Sequence, residues 1–299
     1  MHICPMLNWS KGQSFMLASA CFYAVLNLCV KQLSYLPAME LIFFRAVISF
    51  FLCAWGIYRA NVFFFGKNHK WLLVRGVSGI IALWLYFSSI QQMPLASAVA
   101  IQYTSPIFAA LFAVFILGER MSRWKWVFFL LSMAGVFLIK GYDQRVSYEF
   151  LFAGIFSAMM SGIAYNAVRK LNVSEHPLVI ILYFPMVALP ISGIYSWMNW
   201  ESPKGYDWFL VLLMGLATQA GQYCMTRAIQ LEKLERVTFL NYTGILFALV
   251  LGRLFFNDPL DPVSASGILL VASGIFLNLM EKKSKPDKDS ELPAAKEMV

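Results

Sequence analysis

The chain has 299 residues, of which 60% are hydrophobic and only 13% are charged. A soluble protein carries roughly twice that charged fraction, and apolar stretches of about 17–25 residues, each long enough to cross a bilayer as a helix, recur along the sequence. Basic residues in short loops between these stretches produce the net charge of +8, which excludes nucleic-acid binding as its explanation. The sequence therefore predicts an all-α polytopic membrane protein that has the lipid bilayer as a partner.

Proline, glycine and charged residues divide the apolar sequence into ten candidate transmembrane helices. The predicted spans are, in chain order, Ser14–Leu33, Ala38–Tyr58, Trp71–Gln91, Leu95–Leu117, Trp124–Lys140, Phe150–Leu171, Pro177–Met198, Asp207–Gln230, Arg236–Phe256 and Pro262–Met280. Tight turns are predicted at QMPLASA, between the third and fourth spans, and at LEKLE, between the eighth and ninth. Residues 1–13 form an N-terminal tail, and the polar segment 281–299 is predicted to be a disordered cytoplasmic tail.

The Lys and Arg residues of the loops predict the orientation of these spans. On the side of the N-terminus lie 17 of them, with Arg75 counted among the loop residues, and 4 lie on the opposite side. Positively charged loops remain in the cytoplasm, so both termini are predicted to be cytoplasmic. The expected location is a bacterial inner membrane.

Histidine and cysteine are too scattered to predict a cofactor. His2, His69 and His176 lie far apart in the sequence, and four of the five cysteines lie inside apolar runs. A cysteine in such a run behaves as a small hydrophobic residue. We therefore expect no metal, no other cofactor and no disulfide framework.

One pattern occurs twice in the chain. The stretch AIQYTSPIFAALFAVFILGER begins at Ala100, and FLNYTGILFALVLGRLFFNDP begins 139 residues later at Phe239. Residues 14–140 and 150–280 each contain five predicted spans. Because five is odd, the second repeat enters the membrane from the opposite side, which predicts an inverted duplication. This explains why the first copy is followed by the basic segment GERMSRWKW, expected inside, and the second by the acidic segment NDPLDP, expected outside.

The fourth span with SPIFAALFAVFILGER, followed by a span that ends in AGVFLI, resembles the EamA-type module of the drug/metabolite transporter (DMT) superfamily. The strongest positions of that module are matched by Pro106, Gly118, Glu119 and Gly135. Arg45 in LIFFRAVISF resembles an arginine often found in the second helix of the family, whereas the second copy departs at Ile245, where proline is typical, and at Asp258, which replaces the glutamate. The resemblance implies a ten-helix basket of two inverted repeats, alternating access and a small organic metabolite as cargo.

Arg45 is the first candidate for contact with cargo. It lies about seven residues, or roughly 10 Å, inside its predicted span, where a charge is costly and usually functional. Two interpretations remain open: a contact with an anion or carboxylate in a central cavity, and a structural arginine bound to backbone carbonyls. Glu40 is five residues away and is poorly placed to pair with it.

Other polar residues are expected near the middle of the membrane. The fourth and ninth spans bring candidate cargo-binding residues to similar depths from opposite sides, namely Gln102, Tyr103, Thr104, Asn241, Tyr242 and Thr243. Weaker candidates are Asn27, Trp84, Tyr86, Tyr165, Asn166, Gln222 and Tyr223. Structural roles are expected for Pro106, Gly118, Glu119, Gly135, Asp258 and Gly274, with Pro106 setting a kink and Glu119 capping or pairing at a helix end.

The favoured function is alternating-access transport of an amino acid or a similar zwitterionic or anionic metabolite, by export or exchange. No acidic residue is predicted deep in a span, which disfavours proton coupling. Exchange of a zwitterion such as S-adenosylmethionine, or uptake of a vitamin-like or nucleotide-like metabolite, also fits the resemblance. A membrane-embedded enzyme is disfavoured because no histidine and acid come together, and a structural or sensory protein leaves the duplication unexplained. Cargo identity and the choice between monomer and homodimer remain open.

Overall fold

The structure, a computed structural model, describes residues 10–116, 118, 123–142, 145–172, 174–231, 240–258 and 262–280. These residues form helices joined by short connections. The helices are α1 (Lys11–Gln32), α2 (Ala38–Ala60), α3 (His69–Gln92), α4 (Leu95–Gln102), α5 (Ser105–Ile116), α6 (Arg123–Tyr142), α7 (Tyr148–Leu171), α8 (Pro177–Met198), α9 (Asp207–Leu231), α10 (Thr243–Phe256) and α11 (Pro262–Met280).

Most of these helices match a membrane in length and polarity. Within the described residues, seven helical segments are long and apolar enough to cross a bilayer, with α4 and α5 together forming one of them. Three shorter apolar segments lie at 126–139, 243–256 and 262–274. Large apolar side chains also face outwards, including Phe115, Leu254 and Phe51, which are 79%, 70% and 67% exposed. Such an exterior is unfavourable in water and favourable in lipid.

The two halves of the chain pack in matching ways. Helix α1 packs against α9, and α3 packs against α7. A shift of about 139 residues carries α1 onto α7 and α3 onto α9, so each of these pairs corresponds to the other. The helices α2 and α8 contact each other, as do α6 and α11, and each of these is a pair of corresponding helices.

Gly135 and Gly274 show the same correspondence at atomic scale. A Cβ on Gly135 of α6 would lie 2.8 Å from the carbonyl oxygen of Gly267 on α11, and one on Gly274 would lie 3.0 Å from that of Phe128 on α6. Gly267 and Phe128 are themselves 139 residues apart. Small residues allow helix backbones to approach closely in a membrane, so these glycines permit the contact between α6 and α11.

Two sequence predictions are corrected by the fold. The fourth span is not one continuous helix, because it is interrupted at Tyr103 and Thr104, where α4 gives way to α5. Arg75 does not lie in a loop, since α3 begins at His69 and carries Arg75 at its seventh position. The connection between α3 and α4 is as short as the predicted spans imply, because α4 begins at Leu95.

Some of the other residues with predicted structural roles lie at helix ends, and some lie outside the described part of the chain. Pro106 lies in the first turn of α5, where its missing N–H is least costly. Gly118 has a φ of 71°, the left-handed conformation that often follows the end of a helix. Glu119, residues 232–235 of the LEKLE turn, residues 1–9 of the predicted N-terminal tail and the predicted tail at 281–299 lie outside the described residues. The predicted N-terminal tail ends too late, because α1 already begins at Lys11.

Candidate functional site

The interruption between α4 and α5 has a local cause. The buried Thr104 hydroxyl donates to the carbonyl of Ile101 at 2.7 Å, which offers that carbonyl a partner outside the regular helical ladder. Two residues later, Pro106 has no N–H to donate to the carbonyl of Gln102. Hydroxyl competition and the proline together favour a break at this position.

The second repeat breaks at the equivalent position. Helical residues Leu240 and Asn241 end at Tyr242, and α10 begins at Thr243. The Thr243 hydroxyl donates to the carbonyl of Leu240 at 2.6 Å, which is the contact made by Thr104, displaced by 139 residues. Interrupted helices are a common feature of transporter binding sites, because they free backbone groups inside the membrane.

The two breaks meet inside the bundle. The Tyr103 hydroxyl donates to the backbone carbonyl of Asn241 at 2.9 Å. The rings of Tyr103 and Tyr242 pack edge to face with their centroids 5.2 Å apart. Gly244 makes room for this contact, because a Cβ there would lie 2.1 Å from the Tyr103 hydroxyl oxygen. The structure thus brings together Tyr103, Asn241 and Tyr242, three of the six residues that the sequence placed at similar depth.

Two further candidates join helices to one another. The Gln102 side chain donates to the Ser161 hydroxyl and accepts from the Ser157 hydroxyl, both at 2.9 Å, which connects α4 to α7. The Asn166 amide nitrogen donates to the carbonyl of Ala109 at 2.8 Å, which connects α7 to α5. Both contacts use side-chain groups that could otherwise meet a ligand, so they favour a packing role.

Five tyrosines surround the meeting point of the breaks. This tyrosine cluster consists of Tyr23, Tyr86, Tyr103, Tyr165 and Tyr242. Tyr165 lies within electrostatic range of the other four, although 44% of its surface is exposed. Tyr86 donates to the Asn27 amide oxygen at 3.2 Å. Tyr165 therefore lies beside the cluster and keeps part of its own surface accessible.

Two arginines lie next to this cluster. Arg45 of α2 is 7% exposed, and its guanidinium carbon lies 5.1 Å from the centroid of the Phe184 ring. The guanidinium carbon of Arg75 on α3 lies 5.8 Å from the same centroid. Tyr23 is within electrostatic range of both. We refer to Arg45 and Arg75 as the arginine pair.

The hydrogen bonds of this region are incomplete within the described part of the chain. Its buried atoms without a hydrogen-bond partner include Nε and Nη1 of Arg45, Oδ1 of Asn241 and the hydroxyl of Tyr242. Buried polar groups are normally hydrogen-bonded. Buried donors and acceptors without partners beside the tyrosine cluster are therefore suited to binding a polar ligand.

Sequence reasoning missed several of these residues. Tyr23 could have been found from its position four residues before Asn27, which places both on one face of α1. Arg75 was missed because it was counted among the loop residues, although the predicted span Trp71–Gln91 already contains it. Phe184 had no signal, since it is an ordinary apolar residue.

Three weaker candidates do not join the cluster. Trp84 and Tyr223 are 42% and 62% exposed, and the contacts among described residues do not connect them to the breaks. The described contact of Gln222 uses its backbone carbonyl, which accepts from the Thr226 hydroxyl at 2.8 Å. They remain predictions without a structural argument in their favour.

A separate group of charges closes one end of the bundle. The Asp258 carboxylate accepts from the backbone N–H of Leu95 at the start of α4, at 3.1 Å, and pairs with Arg145 at 3.3 Å. The helix dipole favours an anion at such an N-terminus. We refer to this end as the Asp258 end.

The loop between α1 and α2 and the start of α9 also lie at the Asp258 end. Tyr35, in the loop between α1 and α2, donates to the Asp207 carboxylate at 2.5 Å. Desolvation and this hydrogen bond raise the pKa of the Tyr35 hydroxyl, which stays protonated and donates. Lys31, in the last turn of α1, donates to the Met93 carbonyl, which connects the end of α1 to the connection between α3 and α4. At the opposite end, Glu175 accepts from the backbone N–H of Lys67 at 2.6 Å.

Comparison with known proteins identifies a family for both halves of the chain. The model of the EamA-like transporter family matches residues 10–141 and again residues 149–280. The pseudopaline exporter CntI of Pseudomonas aeruginosa is 32% identical over 87% of this chain and 93% of that protein. Solute carrier family 35 member G1 of Mus musculus is 31% identical over 90% of this chain and 77% of that protein.

Two further proteins are similar to the chain at lower sequence identity. The S-adenosylmethionine uptake transporter of Rickettsia prowazekii is 23% identical over 69% of this chain and 69% of that protein. One solved crystal structure superimposes with a TM-score of 0.64 at 17% identity, covering 89% of this chain and 95% of its own. At that identity the superposition shows a shared fold alone.

Proposed function

We propose that this chain, which belongs to the EamA-like transporter family, exports or exchanges a small metabolite that carries an anionic group. Its family and its apolar helices make it an integral membrane protein that transports a small molecule, and they point away from an enzyme. The observation that carries the proposal is Arg45, a buried guanidinium with two unpartnered nitrogens beside the tyrosine cluster. Such a group binds a carboxylate with charge-assisted hydrogen bonds.

We further propose that ten spans form two inverted repeats, 14–140 and 150–280, with the site between them. The seven long and three shorter apolar segments support the count. The corresponding pairs α1 with α9 and α3 with α7, and the matched helix breaks, support a two-fold relation between the repeats. Alternating access then consists of one repeat moving against the other around the breaks.

The proposed orientation places the Asp258 end outside and both termini in the cytoplasm of a bacterial cell. Lys67 and Arg59 lie at the opposite end, as expected for a cytoplasmic face. In a variant that lacks all five cysteines, Lys204→Cys should react with an impermeant thiol reagent added to intact cells, and Lys67→Cys should react only after lysis. Labelling of Lys67→Cys in intact cells would contradict the orientation.

Transport itself is tested in proteoliposomes that contain the purified chain. Entry of labelled amino acids and small carboxylic acids should exceed that into protein-free vesicles, and preloading the vesicles with the same compound should accelerate it if the chain exchanges. Failure of every compound in both modes would contradict the proposal. The exporter CntI, at 32% identity, supports the outward direction.

One alternative cargo has its own supporting observation. The tyrosine cluster offers ring faces on which a heteroaromatic group can stack, and the S-adenosylmethionine uptake transporter is among the similar proteins. Labelled S-adenosylmethionine therefore belongs in the same transport experiment. Faster entry of this compound than of the simple carboxylates would favour that alternative.

A further inference from the structure

We propose that Arg45 and Arg75 bind two anionic groups of one cargo molecule, so that the preferred cargo is a short-chain dicarboxylate or a metabolite with two such acids. This inference rests on the proposed transport function and makes its cargo more specific. Its starting point is the juxtaposition of two guanidinium groups at a single phenylalanine ring.

The geometry holds the two cations near each other. Their guanidinium carbons lie 5.1 and 5.8 Å from the centroid of the Phe184 ring, so they are at most about 11 Å apart, because each sits over this one ring. Gly79 makes room for the second of them, since a Cβ at Gly79 would lie 2.5 Å from Nη1 of Arg75 and 3.0 Å from the Phe184 ring. The position of Arg75 thus depends on a residue without a side chain.

No acid of the described chain balances these charges. Neither Arg45 nor Arg75 forms an ion pair among those residues, and the titratable side chains within electrostatic range of the pair are the hydroxyls of Tyr23 and Tyr165. Glu40, on the same helix as Arg45, instead accepts from the backbone N–H of Glu201 at 3.1 Å. Two positive charges therefore face the interior together.

The number of charges decides the class of cargo. Unpaired charges are unfavourable inside a membrane protein, and an anion of matching geometry relieves the cost. One carboxylate can neutralise one guanidinium and leaves the other unbalanced, whereas a dianion neutralises both. Each guanidinium presents a planar fork of donors that fits a carboxylate, so two forks favour two carboxylates over one group of higher charge.

Binding of glutarate and of its monoamide, glutaramate, tests the inference on the full-length protein. The two probes have the same length and differ in one carboxylate. The purified chain is reconstituted into phosphatidylcholine vesicles, which excludes anionic lipid headgroups as the ligand, and binding at millimolar concentrations is measured by the shift of Tm. Glutarate should bind on the order of tenfold to a hundredfold more tightly than glutaramate.

Three variants assign this preference to the pair. Arg75→Gln should bind both probes alike, and Gly79→Ala, which keeps the charge but displaces it, should reduce the preference. Arg59→Gln is the matched control: Arg59 also covers an aromatic ring, at 5.1 Å from that of Trp55, but it is exposed at the end of α2. This control should keep the full preference.

Several results would overturn the inference. They are equal binding of the two probes to the unaltered chain, absence of glutarate binding, and an undiminished preference in Arg75→Gln. Transport of monocarboxylates or amino acids without any preference for diacids would reject the inference and leave the proposed transport function standing. Diacid binding without transport of any compound would instead reject the transport function.

Discussion

The charge of Asp258 is neutralised by partners in the protein, whereas the arginine pair has no acidic partner among the described residues. Asp258 has partners on both oxygens, one from the start of α4 and one from Arg145. Arg45 is more deeply buried and has Nε and Nη1 unpartnered within the described residues. A charge that the protein itself neutralises stabilises one arrangement of the chain, whereas a charge that it leaves unpaired is available to a ligand. The comparison separates a structural group from a binding group.

Removal of Arg45 should have the largest effect on transport. Arg45→Ala loses a charge-assisted contact with the cargo, worth about 1.5–3 kcal/mol, or on the order of tenfold to a hundredfold in affinity. Its thermal stability should be unchanged or raised, because an unpaired buried charge disappears. Arg45→Lys should recover part of the affinity, since an ammonium lacks the planar fork. Affinity and Tm are measured on the same purified sample; lower stability with unchanged affinity would make Arg45 a structural residue.

Gly162→Ala should lower stability and leave cargo affinity unchanged, which is the opposite of Arg45→Ala. It therefore serves as the reference for a packing defect. A Cβ at Gly162 of α7 would lie 2.8 Å from the backbone nitrogen of Ala109 on α5, and a backbone cannot move aside as a side-chain tip can. We expect a loss of about 1–3 kcal/mol in stability, measured by thermal unfolding, with unchanged cargo affinity in the folded fraction. Gly193→Ala, where the nearest atom is 3.5 Å away, is the control and should unfold as the unaltered chain does.

Asp258 should have a smaller effect, and only on stability. Asp258→Ala removes the acceptor for the Leu95 N–H and the partner of Arg145, at a cost of about 1.5 kcal/mol. Asp258→Asn keeps an acceptor and loses only the ion pair, and because the Arg145 side chain is 40% exposed, this should cost at most about 1 kcal/mol. Cargo affinity should stay constant in both. An affinity loss like that of Arg45→Ala would place Asp258 in the binding site and end the contrast.

Much of the architecture could be predicted because a bilayer restricts the options. Backbone groups in lipid must be satisfied within the segment, so long apolar runs become helices. The repeat was visible because Tyr103 and Thr104 recur at a constant spacing of 139 residues as Tyr242 and Thr243. The family that these residues resemble was confirmed by matches to both halves of the chain. A kink was expected at Pro106, but the break at Tyr103 and Thr104 was not predicted, since hydropathy does not register a hydroxyl that bonds to its own backbone.

Side-chain partnerships depended on the packing of helices that are distant in sequence. Sequence reasoning selected Arg45 for its depth and counted Arg75 as a loop residue. Their common contact with Phe184 depends on how α2, α3 and α8 pack. Gln102 looked like a cargo contact, and the tertiary structure gave it two serine partners on α7. Periodicity and composition predict which side of its own helix a residue occupies and whether that side faces lipid, water or the protein interior. Which polar groups face one another is decided by the angles and registers between helices, so only the folded bundle distinguishes the satisfied groups from those left free to bind.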